Sequence, residues 1–119
     1  MQEAKRVLIV EEDRVEAGIL AFHLRQVGLV PLVVATEDEA IDALGWGAPQ
    51  AILTELEGKH VDGLRFAGAL EGVEVALFLV SDRPLREDEE LEALRLGVVG
   101  TFRKPLDQDR VTERLRTTA

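Results

Sequence analysis

The sequence predicts an α/β fold in which five parallel strands form one sheet with helices on both faces. Short aliphatic runs alternate with amphipathic segments along the 119 residues, and the runs lack the polar alternation of a half-exposed sheet. Strict alternation of strand and helix predicts a doubly wound, three-layer (βα)5 sandwich, with one domain over residues 1–119. The five predicted strands are 7–10, 30–35, 51–53, 75–80 and 98–102.

The first helix is predicted from an apolar stripe. Val15, Ile19, Phe22 and Val27 share one helical face, which we expect to cover the sheet, and Gly28 is placed to end the helix. Trp46, at the end of the second helix, is expected at the end of the sheet remote from the polar residues described below.

The other helices are marked by their ends. Thr36 precedes Glu39 with capping-box spacing, Asp62 and Asp107 are N-cap residues, and Gly97 follows a fourth helix over about 86–96. The positions expected to face the core are Ile41 and Leu44 in the second helix, Leu64, Ala67 and Leu70 in the third, Leu91 and Leu94 in the fourth, and Val111 and Leu115 in the fifth.

Composition excludes several classes of protein. There is no cysteine, which excludes disulfides, a thiolate nucleophile and a cysteine-based zinc site. The net charge of −9 disfavours direct binding to nucleic acid or to anionic lipid. No apolar run approaches the roughly 20 residues that span a bilayer, and we expect a cytoplasmic protein with no membrane contact.

Polar residues follow four of the predicted strands. Glu11 and Glu12 come after the first strand, Glu55 ends the third, Ser81 follows the fourth and Lys104 follows the fifth. Ligands of such sheets bind beyond the carboxyl ends of the strands. We therefore expect these side chains to converge at one end of the sheet.

These motifs resemble the receiver domain of two-component response regulators over the whole chain. The motifs on which the resemblance rests are the acidic pair after strand one, Glu55 seven residues before Asp62-Gly63, Ser81 after strand four, and Lys104-Pro105 after strand five. The resemblance implies a flavodoxin-like fold, a cis Lys104-Pro105 bond, and a phosphoacceptor position at Glu55. It further implies an acidic, metal-binding position formed by the carboxylates of Glu11, Glu12 and Glu55 with the backbone carbonyl of Glu57. Ser81, Thr101, Lys104 and Pro105 would be the switch and phosphate-contact positions.

Departures from the receiver pattern argue against phosphoryl transfer. Receivers carry Asp where this chain has Glu55, and one methylene moves the carboxylate by about 1.5 Å. A misplacement of roughly 1 Å can lower a rate about a hundredfold, and three glutamates weaken a magnesium site, so Mg²⁺ is at most a weak ligand. Asp82 stands where receivers have Ala or Gly and would block access by an anion. Lys59 either turns towards the acids or lies in solvent, and we favour solvent.

Two interpretations of Glu55 remain open. Its carboxylate either contacts Lys104 and partly imitates a phosphorylated aspartate, or forms a structural ion pair with Lys104 in a site that no longer reacts. Thr101 replaces the aromatic switch residue of receivers, and it either hydrogen-bonds Ser81 or packs. Phe102 is expected on the opposite face of the strand.

The fourth and fifth helices carry opposite charges. This pattern indicates either a homodimer through the helix 4–strand 5–helix 5 face or ordinary helix solvation. The acids are Glu87, Asp88, Glu89, Glu90 and Glu92, and the bases are Arg103, Arg110, Arg114 and Arg116.

The function we predict is an atypical, phosphorylation-independent receiver that acts through protein–protein interaction and is not an enzyme. Its partner would be a histidine kinase or another regulator. The alternative is a receiver that still accepts a phosphoryl group from a histidine kinase, on Glu55 or on nearby Asp13 or Asp62. A nucleotide or flavin binder is disfavoured, because the segment after strand one is acidic rather than rich in Gly, Ser and Thr.

Overall fold

The computed structural model describes residues 5–45 and 47–118. Five strands and five helices alternate, and the strands form one parallel sheet in the order β2-β1-β3-β4-β5. The predicted doubly wound fold is confirmed, whereas Trp46 lies outside the described residues. The elements are β1 (Arg6–Val10), α1 (Arg14–Gln26), β2 (Val30–Val34), α2 (Glu37–Leu44), β3 (Ala51–Glu55), α3 (Gly63–Ala69), β4 (Ala76–Ser81), α4 (Glu87–Arg95), β5 (Gly100–Arg103) and α5 (Gln108–Thr117).

The central strands are covered on both faces. In β1, Val7 and Ile9 pack in the core layer that contains residues of α1 and α5, while Leu8 and Val10 pack in the layer of α2 and α3. The edge strands differ, because β5 alternates in burial and most of β2 is exposed. The expectation that every strand is covered on both faces is therefore wrong for β2 and β5, since an edge strand has helices over only part of its width.

Most predicted helix ends are confirmed. The side chains of Thr36, Asp62 and Asp107 accept backbone N–H bonds at 3.2, 3.2 and 3.1 Å, which satisfies donors in the first turns of α2, α3 and α5. Gly28 and Gly97 follow α1 and α4 with φ of +83° and +78°. Glycine adopts this left-handed conformation without steric cost, and it therefore ends both helices.

The predicted buried face of α1 is wrong. Val15 and Phe22 are 72% and 57% exposed, and Ile19 and Val27 are also exposed. The helix instead buries a second stripe, which consists of Ala17, Leu20, Ala21 and Leu24. Both stripes have helical spacing. The buried stripe contains two alanines, whose small side chains allow α1 to lie closer to the sheet than the bulkier side chains of the predicted stripe would.

The predicted buried face of α4 is also wrong. Leu91 and Leu94 are 62% and 75% exposed, whereas Glu89 and Ala93 are buried. Burial of Glu89 requires a counter-charge, which Arg83 supplies from outside the helix. In α2, Ile41 is exposed and Ala40 is buried, while Leu44 is partly buried.

The third and fifth helices follow the prediction. Ala67 and Leu70 of the third predicted helix are buried, Leu64 packs at the edge of the core, and Val111 and Leu115 of α5 are buried.

We predict opposite effects for two Gly→Ala substitutions in α3. A methyl group at Gly63 would lie 2.4 Å from the Glu55 carbonyl oxygen, whereas one at Gly68 would meet nothing closer than 4.0 Å. Gly63→Ala should lower the free energy of unfolding by about 1–3 kcal/mol, because backbone must move. Gly68→Ala should raise it by about 0.5–1 kcal/mol through helix propensity. Urea denaturation followed by far-ultraviolet circular dichroism measures both, and equal effects would contradict the close approach at Gly63.

Candidate functional site

The predicted site residues lie at the carboxyl end of the sheet. Glu11 directly follows β1, Glu55 and Ser81 are the last residues of β3 and β4, and Lys104 directly follows β5. Parallel strands place these ends along one edge, as the sequence predicted. The structure then divides the residues into three groups by their ion pairs and backbone hydrogen bonds, although the Glu55 carboxylate of the second group neighbours Glu11 of the first.

Lys104 forms the first group with Glu11 and Glu16. Its Nζ lies 3.3 Å from Glu11 Oε2 and 2.7 Å from Glu16 Oε2. The predicted cis peptide bond between Lys104 and Pro105 is present. The sequence analysis missed Glu16. The only sequence signal for it is that an acidic residue lies in the first turn of α1.

Glu11 is a buried carboxyl group, with only 8% of the residue exposed. Burial and the neighbouring Glu55 carboxylate raise its pKa to about 7 against the opposing effects of the Asp13 N–H and of Lys104. Burial also opposes the charge of Lys104, but the carboxylates of Glu16, Glu11 and Glu55 outweigh it and raise the pKa of the lysine. Lys104 is therefore a fixed counter-charge for this corner of the site.

Glu55 belongs to a second group, with Glu12 and the loop after β3. Its Oε1 accepts a hydrogen bond from Glu12 N at 3.0 Å, and Glu12 Oε1 accepts one from His60 N. Both carboxylates lie against Gly58, where an added methyl group would be 3.1 Å from Glu12 Oε1 and 3.2 Å from Glu55 Oε2. Each glutamate is thus bound to a backbone amide of a neighbouring segment.

The two interpretations of Glu55 both required direct contact with Lys104, and that contact is not formed. Among the described residues, the ion-pair partners of Lys104 are Glu11 and Glu16. The Glu55 carboxylate instead accepts the backbone N–H of Glu12. Glu55 still acts on Lys104 through space, since its charge contributes to the raised pKa of the lysine.

The glutamates do not fit a magnesium ion in this arrangement. Octahedral Mg²⁺ needs carboxylates that converge on one point. Within residues 5–45 and 47–118, no three acidic or histidine side chains are grouped so that they could hold a metal. The carboxylates of Glu11, Glu12 and Glu55 each accept a backbone N–H. The role of the Glu57 backbone carbonyl as a metal ligand stays a prediction, since the pairing of the Glu57 side chain with Arg83 at 2.7 Å does not involve that carbonyl.

Ser81 belongs to the third group and is bound to its own loop. Its hydroxyl donates to Arg83 O at 2.6 Å and accepts from Arg83 N at 3.2 Å. Thr101 is exposed, so it neither bonds Ser81 nor packs, contrary to both expectations. Phe102 points to the other face, as predicted, and stacks on Phe78 with ring centroids 5.4 Å apart.

Three side chains, Arg83, Glu57 and Glu89, form an ion-pair network that we call the Arg83 clamp. Arg83 Nε donates to Glu57 Oε1 at 2.7 Å, and its two Nη atoms donate to the two oxygens of Glu89 at 2.8 and 2.9 Å. The arginine lowers the pKa of Glu89 to about 2. The clamp joins the loop after β3 to the loop before α4. Sequence reasoning missed it, because no local spacing pairs these residues.

Asp82 and Lys59 remain at the surface. Both are exposed, and neither forms an ion pair within the part of the chain that the structure describes. Lys59 therefore lies in solvent, as we favoured. The exposed carboxylate of Asp82 adds negative charge directly after Ser81.

Comparisons with known proteins identify the fold through solved structures. No family model matches the chain, and no curated protein matches it. A response regulator receiver protein from Pseudomonas putida is 22% identical, with a TM-score of 0.87 and 98% of both chains covered. The chemotaxis response regulator CheY4 of Vibrio cholerae is 16% identical, with a TM-score of 0.86, covering 98% of this chain and 100% of that one. The fold is that of a CheY-like receiver domain.

A third similar structure has a different description. A sensor protein from Polaromonas sp. JS666 is 24% identical, with a TM-score of 0.84, and the match covers 98% of this chain and 96% of that one. Among the described helices of this receiver fold, none combines the length and apolarity needed to cross a membrane.

We predict that Glu11→Gln becomes more stabilising as the pH rises from 4.5 to 7. In this range the unfolded chain loses the Glu11 proton, while the folded protein keeps it because its pKa is about 7. The stability of the wild-type protein therefore falls with rising pH, and glutamine removes this contribution. The difference should reach on the order of 3 kcal/mol, since the pKa is raised from 4.5 to about 7 and each pKa unit corresponds to about 1.4 kcal/mol.

Urea denaturation at several pH values measures this difference, and Glu74→Gln is the control. Glu74 is exposed, so its variant should follow the wild-type pH dependence. A Glu11→Gln curve parallel to the wild type would show that Glu11 titrates normally.

Proposed function

We propose that this chain is a receiver-type signalling domain that acts by binding a protein partner and not by accepting a phosphoryl group. The observation that carries the proposal is that the residue at the acceptor position and the lysine beside it each have other hydrogen-bond or ion-pair partners. Glu55 is hydrogen-bonded to Glu12 N, while Lys104 is held by Glu11 and Glu16. Phosphoryl transfer depends on a positioned nucleophile and on cations at the phosphoryl oxygens, and here both are engaged elsewhere.

The charge of the site supports the same proposal. A phosphoryl donor is an anion, and it would approach Glu55, Glu12 and the exposed Asp82. Lys104 already lies against two carboxylates, and the glutamates are not arranged to hold magnesium. Uncompensated carboxylates repel the donor before any reaction can begin.

The switch residues support it as well. A response to phosphorylation requires a hydroxyl that turns towards the new phosphate. Ser81 is bonded twice to Arg83, and the Arg83 clamp holds the same loop through Glu57 and Glu89. Thr101 is exposed and too small for the aromatic switch. The domain would therefore present one conformation to its partner.

The alternative acceptors Asp13 and Asp62 are less suited to the reaction. Asp13 Oδ1 accepts the backbone N–H groups of Val15 and Glu16 at 2.9 and 3.0 Å, and Asp62 caps α3 through Arg65 N. Phosphorylation of either carboxylate would remove a helix cap, which contributes about 1 kcal/mol. We therefore place no enzymatic or phosphate-accepting role on these residues.

The partner we propose is a protein of two-component signalling in the cytoplasm, either a histidine kinase or another regulator. The solved structures that resemble this chain include proteins described as response regulators and as a sensor protein. A domain with a fixed receiver surface can occupy a docking site on such a partner without being modified.

A second copy of the chain is a further partner that we propose for the face of α4, β5 and α5. On α4, Leu91 and Leu94 are exposed beside acidic residues, and Val99, directly before β5, is exposed as well. A groove between β5 and α5 is lined by Arg103, Arg110 and Arg114. A two-fold axis would place the acids of one copy against the arginines of the other, around an apolar centre.

A titration with magnesium and beryllofluoride tests the phosphorylation-independent function. We expect the amide resonances of Glu55, Ser81 and Lys104 to stay unchanged in a protein whose spectrum shows that it is folded. Acetyl phosphate with magnesium should likewise leave the intact mass unchanged. Saturable shifts at these residues, or a phosphoryl mass increment, would contradict the proposal. Glu55→Asp is the matched variant, because it removes only the extra methylene.

We predict that Leu94→Asp weakens self-association and that Val15→Asp does not. The two side chains are similarly exposed, at 75% and 72%, but only Leu94 lies on the proposed face. A buried aspartate beside Glu90 and Leu91 opposes association, so the dissociation constant should rise about tenfold or more. Sedimentation velocity over a range of concentrations measures it. Equal effects of the two variants would place the interface elsewhere.

A further inference from the structure

The groove between β5 and α5 contains three arginines without a counter-charge. The side chains of Arg103, Arg110 and Arg114 line this groove, which has a volume of about 690 Å³. All three residues are exposed, and none of them forms an ion pair within residues 5–45 and 47–118. The groove therefore concentrates positive charge that the described chain does not neutralise.

The two acidic residues that line the groove are already engaged. Asp107 Oδ1 accepts the backbone N–H of Arg110 at 3.1 Å, where it caps α5. Glu113 Oε2 lies 2.7 Å from Arg116, which neutralises it. Positive charge is consequently in excess in this groove, although the net charge of the whole chain is −9.

The three guanidinium groups are brought together by the fold. Arg110 and Arg114 are four residues apart in α5 and share one side of the helix, while Arg103 is the last residue of β5. The Arg114 guanidinium lies 5.5 Å from the centroid of the buried Phe78 ring, a cation–π contact that orients it. Like charges at this helical spacing repel one another, and a bound anion would remove this repulsion.

Charge and size select the kind of ligand. A guanidinium group binds phosphoryl oxygens through paired, charge-assisted N–H donors, and it stays protonated at every physiological pH. A small anion with one acidic centre is too short to contact three arginines across the groove, whereas two linked phosphoryl groups have the length and the charge to do so. The rest of the chain is acidic and would repel a long polyanion or an anionic membrane outside the groove. Together, these constraints favour a compact oligophosphate.

We propose that the groove between β5 and α5 binds a compact oligophosphate, either inorganic diphosphate or the diphosphate group of a nucleotide, through Arg103, Arg110 and Arg114. The same arginines face the acids of α4 in the second copy of the dimer proposed above. The oligophosphate and the second copy therefore exclude each other, and the ligand dissociates the dimer. This consequence, unlike the binding itself, rests on the proposed self-association.

Inorganic diphosphate without added metal is the probe, and sulfate at the same ionic strength is its control. We expect diphosphate to shift the side-chain Nε resonances of the three arginines and the amide of Thr101 saturably. Sulfate should bind about tenfold more weakly, because it loses the contacts to at least one arginine. No saturable shift with diphosphate, or equal affinity for sulfate, would overturn the proposal.

Adenosine diphosphate distinguishes the two sources of the phosphoryl groups. Tighter binding than that of inorganic diphosphate means that the nucleoside also contacts the groove, which indicates a nucleotide ligand. Equal or weaker binding means that the phosphoryl groups alone are recognised.

Two variants separate a specific site from general charge attraction. Arg110→Gln removes one guanidinium group from the groove and should weaken diphosphate binding about tenfold. Arg65→Gln is the matched control and should bind as the wild type does, because Arg65 is also exposed and forms no ion pair in the described part of the chain, but does not line this groove. The same loss of affinity in both variants would show that the anion is attracted by net charge alone, which rules out the proposed site.

Sedimentation velocity tests the competition with the second copy. Saturating diphosphate should raise the dissociation constant of the dimer about tenfold or more, because both partners need the same arginines. Unchanged self-association in the presence of bound diphosphate would overturn the competition. A protein that is monomeric at every concentration without diphosphate would contradict the proposed dimer alone, and the resonance shifts then decide whether the groove binds diphosphate.

Discussion

The ion pairs of Lys104 with Glu11 and Glu16 determine how the carboxyl end of the sheet is arranged. Glu11 is buried, and a buried carboxylate needs a counter-charge. Lys104 supplies it from the far side of β3 and β4, because β1 and β5 are not neighbours in the sheet. The lysine also contacts α1 through Glu16, so one ammonium group joins three elements. It is consequently unavailable to Glu55.

The three glutamates of the site find alternative partners in the backbone. Glu11, Glu55 and Glu12 accept the N–H groups of Asp13, Glu12 and His60 respectively. The bonds of Glu55 to Glu12 N and of Glu12 to His60 N connect the loops after β1 and β3 directly. The loop after β3 is also constrained by the close approach of Gly63 to the Glu55 carbonyl oxygen. The site is therefore held together by these hydrogen bonds.

The Arg83 clamp links this end of the sheet to the surface of α4. Glu89 is buried by its bonds to Arg83, and Ala93 lies one turn further along the same face. A helix that buries these two positions must direct Leu91 and Leu94 outwards. One charge interaction thus both immobilises the loop after β4 and creates an exposed apolar patch. The properties of the site and of the proposed protein interface therefore have a common physical cause.

The sequence by itself determined the fold class, the succession of strands and helices along the chain, and the helix caps at Thr36, Asp62 and Asp107. These follow from local rules: apolar runs define strands, and a capping side chain bonds its own first turn. It also placed Glu11, Glu55, Ser81 and Lys104 at one end of the sheet. Only the tertiary structure decided which faces of α1 and α4 are buried. Helix α1 carries two apolar stripes, of which close packing buries one, and α4 buries Glu89 because Arg83 pairs with it. The tertiary structure likewise decided that Lys104 pairs with Glu16, a contact between residues 88 positions apart that no sequence spacing encodes.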